Sequence, residues 1–289
     1  MDLPERVTSL LHTAVLSIEP RGAAITGARW RIELAGGREV FAKTRPGAPA
    51  GFFAVEAHGL AWLAEVTGGP PVPPVLAYDD EALLLPWMQE DANAADAPER
   101  LGRELAALHS AGAARFGADR DGWIGAAELD NRPAPGWAEF YVDRRIDPYV
   151  RRLRERGELT ADQVAIFARL AGRLEALAGP PEPPARLHGD LWTGNVVWSG
   201  GRGWLVDPAA HGGHRETDLA MLALFGAPDL DRLLAAYEEV TPLADGWRER
   251  VRLHQLHPLL VHAVLFPGGS YLSTALGYAA GYVGTRPGG

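Results

Sequence analysis

Cysteine is absent from all 289 residues, which removes disulfides, thiolate zinc ribbons and a thiol nucleophile together. Long apolar runs are missing too: none approaches the ~20 residues that a membrane-crossing helix needs. The N-terminal MDLPERVTSLLHTAV is acidic where a secretory leader would be basic. Positive charge is scarce, with 28 Lys and Arg against 37 Asp and Glu, a net −9, and no long basic run. Electrostatic capture of nucleic acid or anionic lipid is therefore not expected, and an acidic field favours cationic or amine-bearing partners. These absences predict a cytoplasmic protein with no nucleic-acid and no membrane partner. The 34 Gly and 23 Pro are dispersed without a repeat. What remains is a 47% hydrophobic chain, long enough for one large domain or two lobes sharing a cleft.

The spacing of Leu3, Val7, Leu10, Leu11 and Ala14 predicts an amphipathic helix. From Ala23 to Lys43 short alternating runs, AITGARWRIEL and REVFAKT, flank Ala35-Gly36-Gly37 and read as a hairpin. FFAVEAHGLAWLAEV, residues 52–66, returns to helical spacing and stops at Gly-Gly-Pro-Pro. VLAYD and ALLLPWM around Asp79-Asp80 read as a second hairpin. Residues 1–88 thus form a small α+β lobe, 89–97 a polar linker, and 98–289 a mainly helical lobe. One expected helix, TADQVAIFARLAGRLEALAG, opens on the capping pair Thr160 and Gln163. WAEFYVDRRIDPYVRRLRERG reads as another. A single strand pair, RLHGDLWTGNVVWS with WLVDPA, interrupts the helices.

Both ends of that strand pair carry chemistry. His188-Gly189-Asp190-Leu191-Trp192-Thr193-Gly194-Asn195 precedes it and Asp207-Pro208 follows it. Phosphoryl transfer asks a protein for a carboxylate beside the acceptor hydroxyl and oxygen ligands that hold Mg²⁺ against phosphates. Asp190 suits the first role, and the Asn195 carbonyl with the Asp207 carboxylate suits the second. His-x-Asp-x-x-x-x-Asn alone arises by chance in roughly one chain in a hundred of this length. The small lobe adds what chance would not: Lys43 ends a strand and Glu56 follows in the next helix, as in kinases, where such a pair serves the ATP phosphates. Leu85-Pro86-Trp87-Met88 falls at the hinge, with the Pro86 carbonyl and the Met88 N–H as expected adenine contacts. The order of these features predicts a two-lobed, protein-kinase-like α+β fold that binds ATP and Mg²⁺.

HGDLWTGN followed by DPAAHGGHRETDLAM resembles the fructosamine (ketosamine-3-) kinase signature, a branch of the aminoglycoside phosphotransferase-related superfamily. The Trp after Asp-Leu and Glu216 distinguish it from aminoglycoside and choline phosphotransferases. LGRELAALHS, FGADRDGWIG, WAEFYVDRRI and FFAVEAHGLAWLAE are similar to family segments, so the resemblance covers most of the chain. It implies phosphorylation of the 3-hydroxyl of ketosamines, the sugar adducts of free or protein-bound amines, with ATP and Mg²⁺. One departure is the phosphate-covering loop, which in this family is usually Gly-Gly-rich. Here Glu19-Pro20-Arg21-Gly22-Ala23-Ala24-Ile25-Thr26-Gly27 keeps only Gly22 and Gly27. Two other readings stay open: an aminoglycoside- or choline-type phosphotransferase of the same fold, and a non-catalytic pseudokinase.

Trp192, beside the catalytic Asp, is expected to face the acceptor or else to pack the catalytic loop. Glu216 is expected to meet the acceptor's amine or to serve as a helix-start residue. Asp218 and His188 are expected to hold the loop. His188, His211 and His214 read as loop histidines rather than a zinc site. His254, His257 and His262 are expected to face solvent or to be hydrogen-bonded.

Overall fold

The computed structural model describes residues 2–91 and 95–284, so residues 92–94 of the expected linker lie outside it. Helix α1 (Leu3–Leu11) is capped by Asp2, whose side chain accepts from the Glu5 N–H at 2.9 Å. Its apolar face buries Val7 against Ile32, Leu34, Val40 and Leu84 of the sheet that follows.

That sheet is antiparallel. It comprises β1 (Val15–Ala24), β2 (Gly27–Leu34), β3 (Glu39–Thr44), β4 (Ala77–Tyr78) and β5 (Ala82–Pro86), in the order β1-β2-β3-β5-β4. Both expected hairpins are present. The first strand, however, begins at Val15 and not at Ala23, because Pro20-Arg21-Gly22, which punctuates the sequence, is absorbed by a register shift between Pro20 and Ala23. Helix α2 (Phe52–Ala64) crosses the sheet, burying Phe53, Ala57 and Leu60 against Leu83 and Leu85.

The remainder is mostly helical. Helix α3 (Ala97–Ser110) leads to a short hairpin, β6 (Gly122–Ile124) with β7 (Ala127–Leu129). The segment read as one helix from Trp137 is three pieces: α4 (Trp137–Phe140), a π-helical stretch (Tyr141–Ile146) and α5 (Asp147–Glu155). Pro148 cannot donate to a carbonyl one turn back, so the hydrogen-bond ladder changes register just before it. Helix α6 (Ala161–Ala171) starts at the expected box, Thr160 and Gln163 bonding each other's backbones reciprocally. After α7 (Leu174–Leu177) come β8 (Ala185–Leu187), β9 (Val196–Ser199), β10 (Arg202–Leu205) and β11 (His211–Gly213). The expected β9–β10 hairpin exists, and β8 pairs with β11 besides. This second ladder joins segments on either side of the hairpin, which no local signal announces.

Helices α8 (Glu216–Leu224), α9 (Leu230–Val240), α10 (Trp247–His254), α11 (Leu256–Leu265) and α12 (Tyr271–Val283) complete the chain. Tyr141, Tyr149, Phe167, Leu256 and Leu260 centre their core. His254 and His257 lie inside it and do not face solvent; His254 is hydrogen-bonded, its Nδ1 3.0 Å from Thr217 Oγ1, and half-buried His262 lies 2.7 Å from the Pro258 carbonyl. Among the described residues no helix is long and apolar enough to cross a membrane.

Candidate active site

Strand register sets the roof of the site. Lys43 lies directly opposite Arg29 on β2, so both side chains leave the same face of the sheet. The Lys43 ammonium is buried and reaches Glu56 of α2 at 2.8 Å and Asp207 at 3.0 Å. Burial alone would lower the Lys43 pKa, but the charges of Asp207 and Glu56 outweigh it and raise it above the ordinary lysine value. Burial holds Glu56 above the usual glutamate range. Arg29 also contacts Asp207, at 3.4 Å. Burial opposes ionisation of Asp207, yet Lys43 and Arg29 together keep its pKa below the usual aspartate value.

The floor is the loop after β8. Gly189 has φ +82°, and a Cβ there would meet the Ala209 carbonyl oxygen at 2.2 Å, so only glycine lets the loop pass this close to the strand region beyond the hairpin. Asp218 of α8 anchors the loop by accepting the His188 N–H at 2.8 Å and the Gly189 N–H at 2.9 Å. His109 contacts the same carboxylate at 3.3 Å and Tyr237 at 2.9 Å. Burial would raise the Asp218 pKa, but the His109 contact and the loop amides lower it overall. His188 tethers the loop to the hairpin: Nδ1 accepts from the Asp190 N–H at 3.2 Å, and Nε2 donates to the Val206 carbonyl at 3.0 Å. Burial lowers the His188 pKa, which favours the neutral ring.

Asp190 stands at the centre. Asn195 Nδ2 donates to its backbone oxygen at 2.8 Å and to Oδ2 at 3.1 Å. Burial, and next the charge of Asp207, push the Asp190 pKa up to about 7, the range in which a carboxylate both accepts and releases a proton readily. Because the Asn195 nitrogen is engaged, its amide oxygen is the group left for a cation. Asp207, the other oxygen donor, has φ +54°, a left-handed conformation that Asp tolerates better than most residues and that recurs at functional sites. Hard oxygen donors of this kind fit Mg²⁺.

Two hollows meet here. One, of about 400 Å³, is lined by Leu85, Pro86, Trp87 and Met88 of the hinge and by Asp207, and its size suits a nucleotide. The Trp87 backbone N–H donates to the Glu39 carbonyl at 3.2 Å, so the Pro86 carbonyl and Met88 N–H fall outside that ladder bond. The other, smaller hollow brings Asp190, Lys43 and Glu56 together with Thr26, Phe52 and Trp123.

Thr26 and Trp123 were not anticipated from the sequence. The alternation of β2 could have pointed to Arg29, but it comes into reach of Asp207 only through tertiary packing. Trp192 is partly exposed, lying against Gly194 and edge-on to Phe225 at 5.9 Å.

Glu216 does not line the cleft. It is buried, and Arg250 grips its carboxylate twice, at 2.6 and 2.9 Å. Burial would raise its pKa, but the contacts of His254 and Arg250 lower it to about 2. Donor atoms of His214, Glu216 and His254 lie within 4.8 Å of one another, yet the Arg250 fork already neutralises the carboxylate, so this cluster is an ion-pair network.

A lysine on a strand of a small antiparallel sheet, paired with a glutamate of the following helix and set above an Asp–Asn loop and a second Asp beyond the next hairpin, is the arrangement of the protein-kinase-like fold. The same fold is seen in the gentamicin–APH(2'')-IIa complex (TM-score 0.63, 11% identity, 96% of each chain covered). A sequence profile of the fructosamine kinase family matches residues 12–280. The structure of a Thermobifida fusca protein provisionally assigned as a fructosamine-3-kinase superposes with a TM-score of 0.92 at 48% identity, covering 98% of this chain and 99% of that one. A Synechocystis protein provisionally assigned as a ketoamine kinase is 32% identical over 241 residues, 81% of this chain and 80% of its own. The chain belongs to the fructosamine kinase family, and that membership indicates a kinase-type phosphotransferase.

Proposed function

We propose that this protein transfers the γ-phosphoryl group of ATP to the 3-hydroxyl of a ketosamine, in the cytoplasm and with Mg²⁺. The observation that carries the reading is the convergence of Lys43, Asp207 and Asp190, from three separate segments, on adjoining hollows. Adenine rests against Leu85 to Met88, with the Pro86 carbonyl and the Met88 N–H as its polar contacts. Lys43, oriented by Glu56, neutralises phosphate charge. Asn195 and Asp207 would hold Mg²⁺, which when bound would supply charge neutralisation on the phosphates. Asp190 accepts the hydroxyl proton as the substrate oxygen bonds to phosphorus, the bridging P–O bond breaks, and ADP departs with the electron pair. Trp192 offers the flat surface for the sugar or its protonated amine. Glu216, held by Arg250, is assigned no acceptor contact.

The acceptor is a small amine-sugar adduct, free or carried on a protein. Purified protein with Mg²⁺-ATP is offered a ribulosyl-amine, a fructosyl-amine, kanamycin and choline, and ADP release is followed. Turnover of a ketosamine is expected. Turnover of kanamycin or choline alone would reject the acceptor class and keep the kinase, while absence of turnover together with absence of ATP binding would favour the pseudokinase.

A further inference from the structure

We propose that Arg29 is a phosphate clamp of the nucleotide site, a side-chain substitute for the glycine-rich backbone grip that this chain lacks. The inference rests on the ATP reading above. Of the two glycines left in the phosphate-covering segment, Gly27 is committed elsewhere: a Cβ there would meet the Thr44 carbonyl oxygen at 2.1 Å, so its lack of a side chain serves the approach of β2 to β3. Pro20 in the same segment has no N–H to offer. Gly22 is thus the one glycine of the segment with open space where a Cβ would stand.

Arg29 supplies donors instead. It sits opposite Lys43 in the ladder, lines the hinge cavity and contacts Asp207 at 3.4 Å, with its side chain 40% exposed. Lys43 already contacts Asp207 at 3.0 Å and is almost fully buried, so Asp207 keeps a counter-charge when Arg29 turns away. The guanidinium is therefore free to swing onto phosphate oxygens, where a planar fork bonds two oxygens at once. Arg21 lines the same cavity but lies over the Trp87 ring, 5.1 Å from its centroid, at the hinge end. The phosphate role therefore falls to Arg29.

The test is calorimetric binding of Mg²⁺-ATP, ADP and adenosine to the wild type, Arg29→Gln and Arg29→Lys, with thermal melting to confirm folding. Arg29→Gln is expected to weaken ATP and ADP roughly ten- to a hundredfold, the scale of a hydrogen bond to a charged group, and to leave adenosine unchanged. Arg29→Lys should fall between. Equal ATP affinity for all three proteins, or a parallel loss for adenosine, would overturn the clamp while leaving the nucleotide site intact. A wild type that binds none of the three ligands would overturn the nucleotide reading itself, and the clamp with it.

Discussion

Asn195 and Asp190 are locked together, with the Asn195 amide donating to both the backbone oxygen and Oδ2 of Asp190 at 2.8 and 3.1 Å. This fixes the carboxylate's rotamer before any substrate arrives, and in the proposed mechanism it pre-sets the geometry of proton acceptance. Asp190→Asn should therefore lower kcat by roughly 10²- to 10⁴-fold, the span ascribed to general base catalysis. ATP affinity, measured by calorimetry, should change little.

The same substitution should stabilise the fold. With a folded pKa of about 7 against 3.8 unfolded, Asp190 binds its proton more tightly in the folded state. Its contribution is complete below pH 3.8 and is lost as pH rises to 7. At pH 8 Asp190→Asn should raise Tm, by roughly 1–2 °C for each 1 kcal/mol gained at this chain length, and the gain should vanish near pH 4. Loss of activity with a rise in Tm is the outcome to look for; a fall in Tm at pH 8 would contradict the burial argument.

In the proposed mechanism Asp190 also sets the pH dependence of the reaction. As a base it must be ionised, so kcat/KM should fall as pH drops below about 7, approaching tenfold per unit. A pH–rate profile flat down to pH 5 would remove Asp190 from the proton-accepting role.

Glu216 and Arg250 make a contrasting case. Removing one partner of a buried pair strands the other charge, so Glu216→Ala should cost about 3–5 kcal/mol by denaturant titration. Because its folded pKa is lowered to about 2 from 4.5, its contribution is present above pH 4.5 and lost as pH falls towards 2. The ketosamine KM of the folded fraction should not move. A selective rise in KM would return Glu216 to the acceptor site.

Trp192→Ala tests the acceptor surface. A cation over an indole contributes on the order of 0.5 to 2 kcal/mol, so KM for a fructosyl- or ribulosyl-amine should rise roughly two- to thirtyfold with ATP affinity unchanged. If instead Trp192 only packs the loop against Phe225, kcat and Tm should fall together and KM should hold.

The residues that converge on the two hollows were legible in the sequence because their spacing is itself chemical. Asp190 and Asn195 share one loop, Asp207 follows one hairpin, and Lys43 and Glu56 end a strand and enter the next helix, so local backbone geometry nearly dictates where each one lies. Hairpins, the Thr160 cap and the helical spacing are likewise short-range signals. Tertiary structure decided what depends on distant partners. Glu216 became an interior anion through Arg250, 34 residues on. His254 and His257 were turned inward by packing that a three-residue spacing does not express. Pro20-Arg21-Gly22 looked like a loop because its punctuation is local, whereas pairing with β2 carries the strand through it. The arrival of Arg29 at Asp207, 178 positions away, is the same lesson: side-chain electrostatics is set by proximity in space, and only the folded chain brings those charges together.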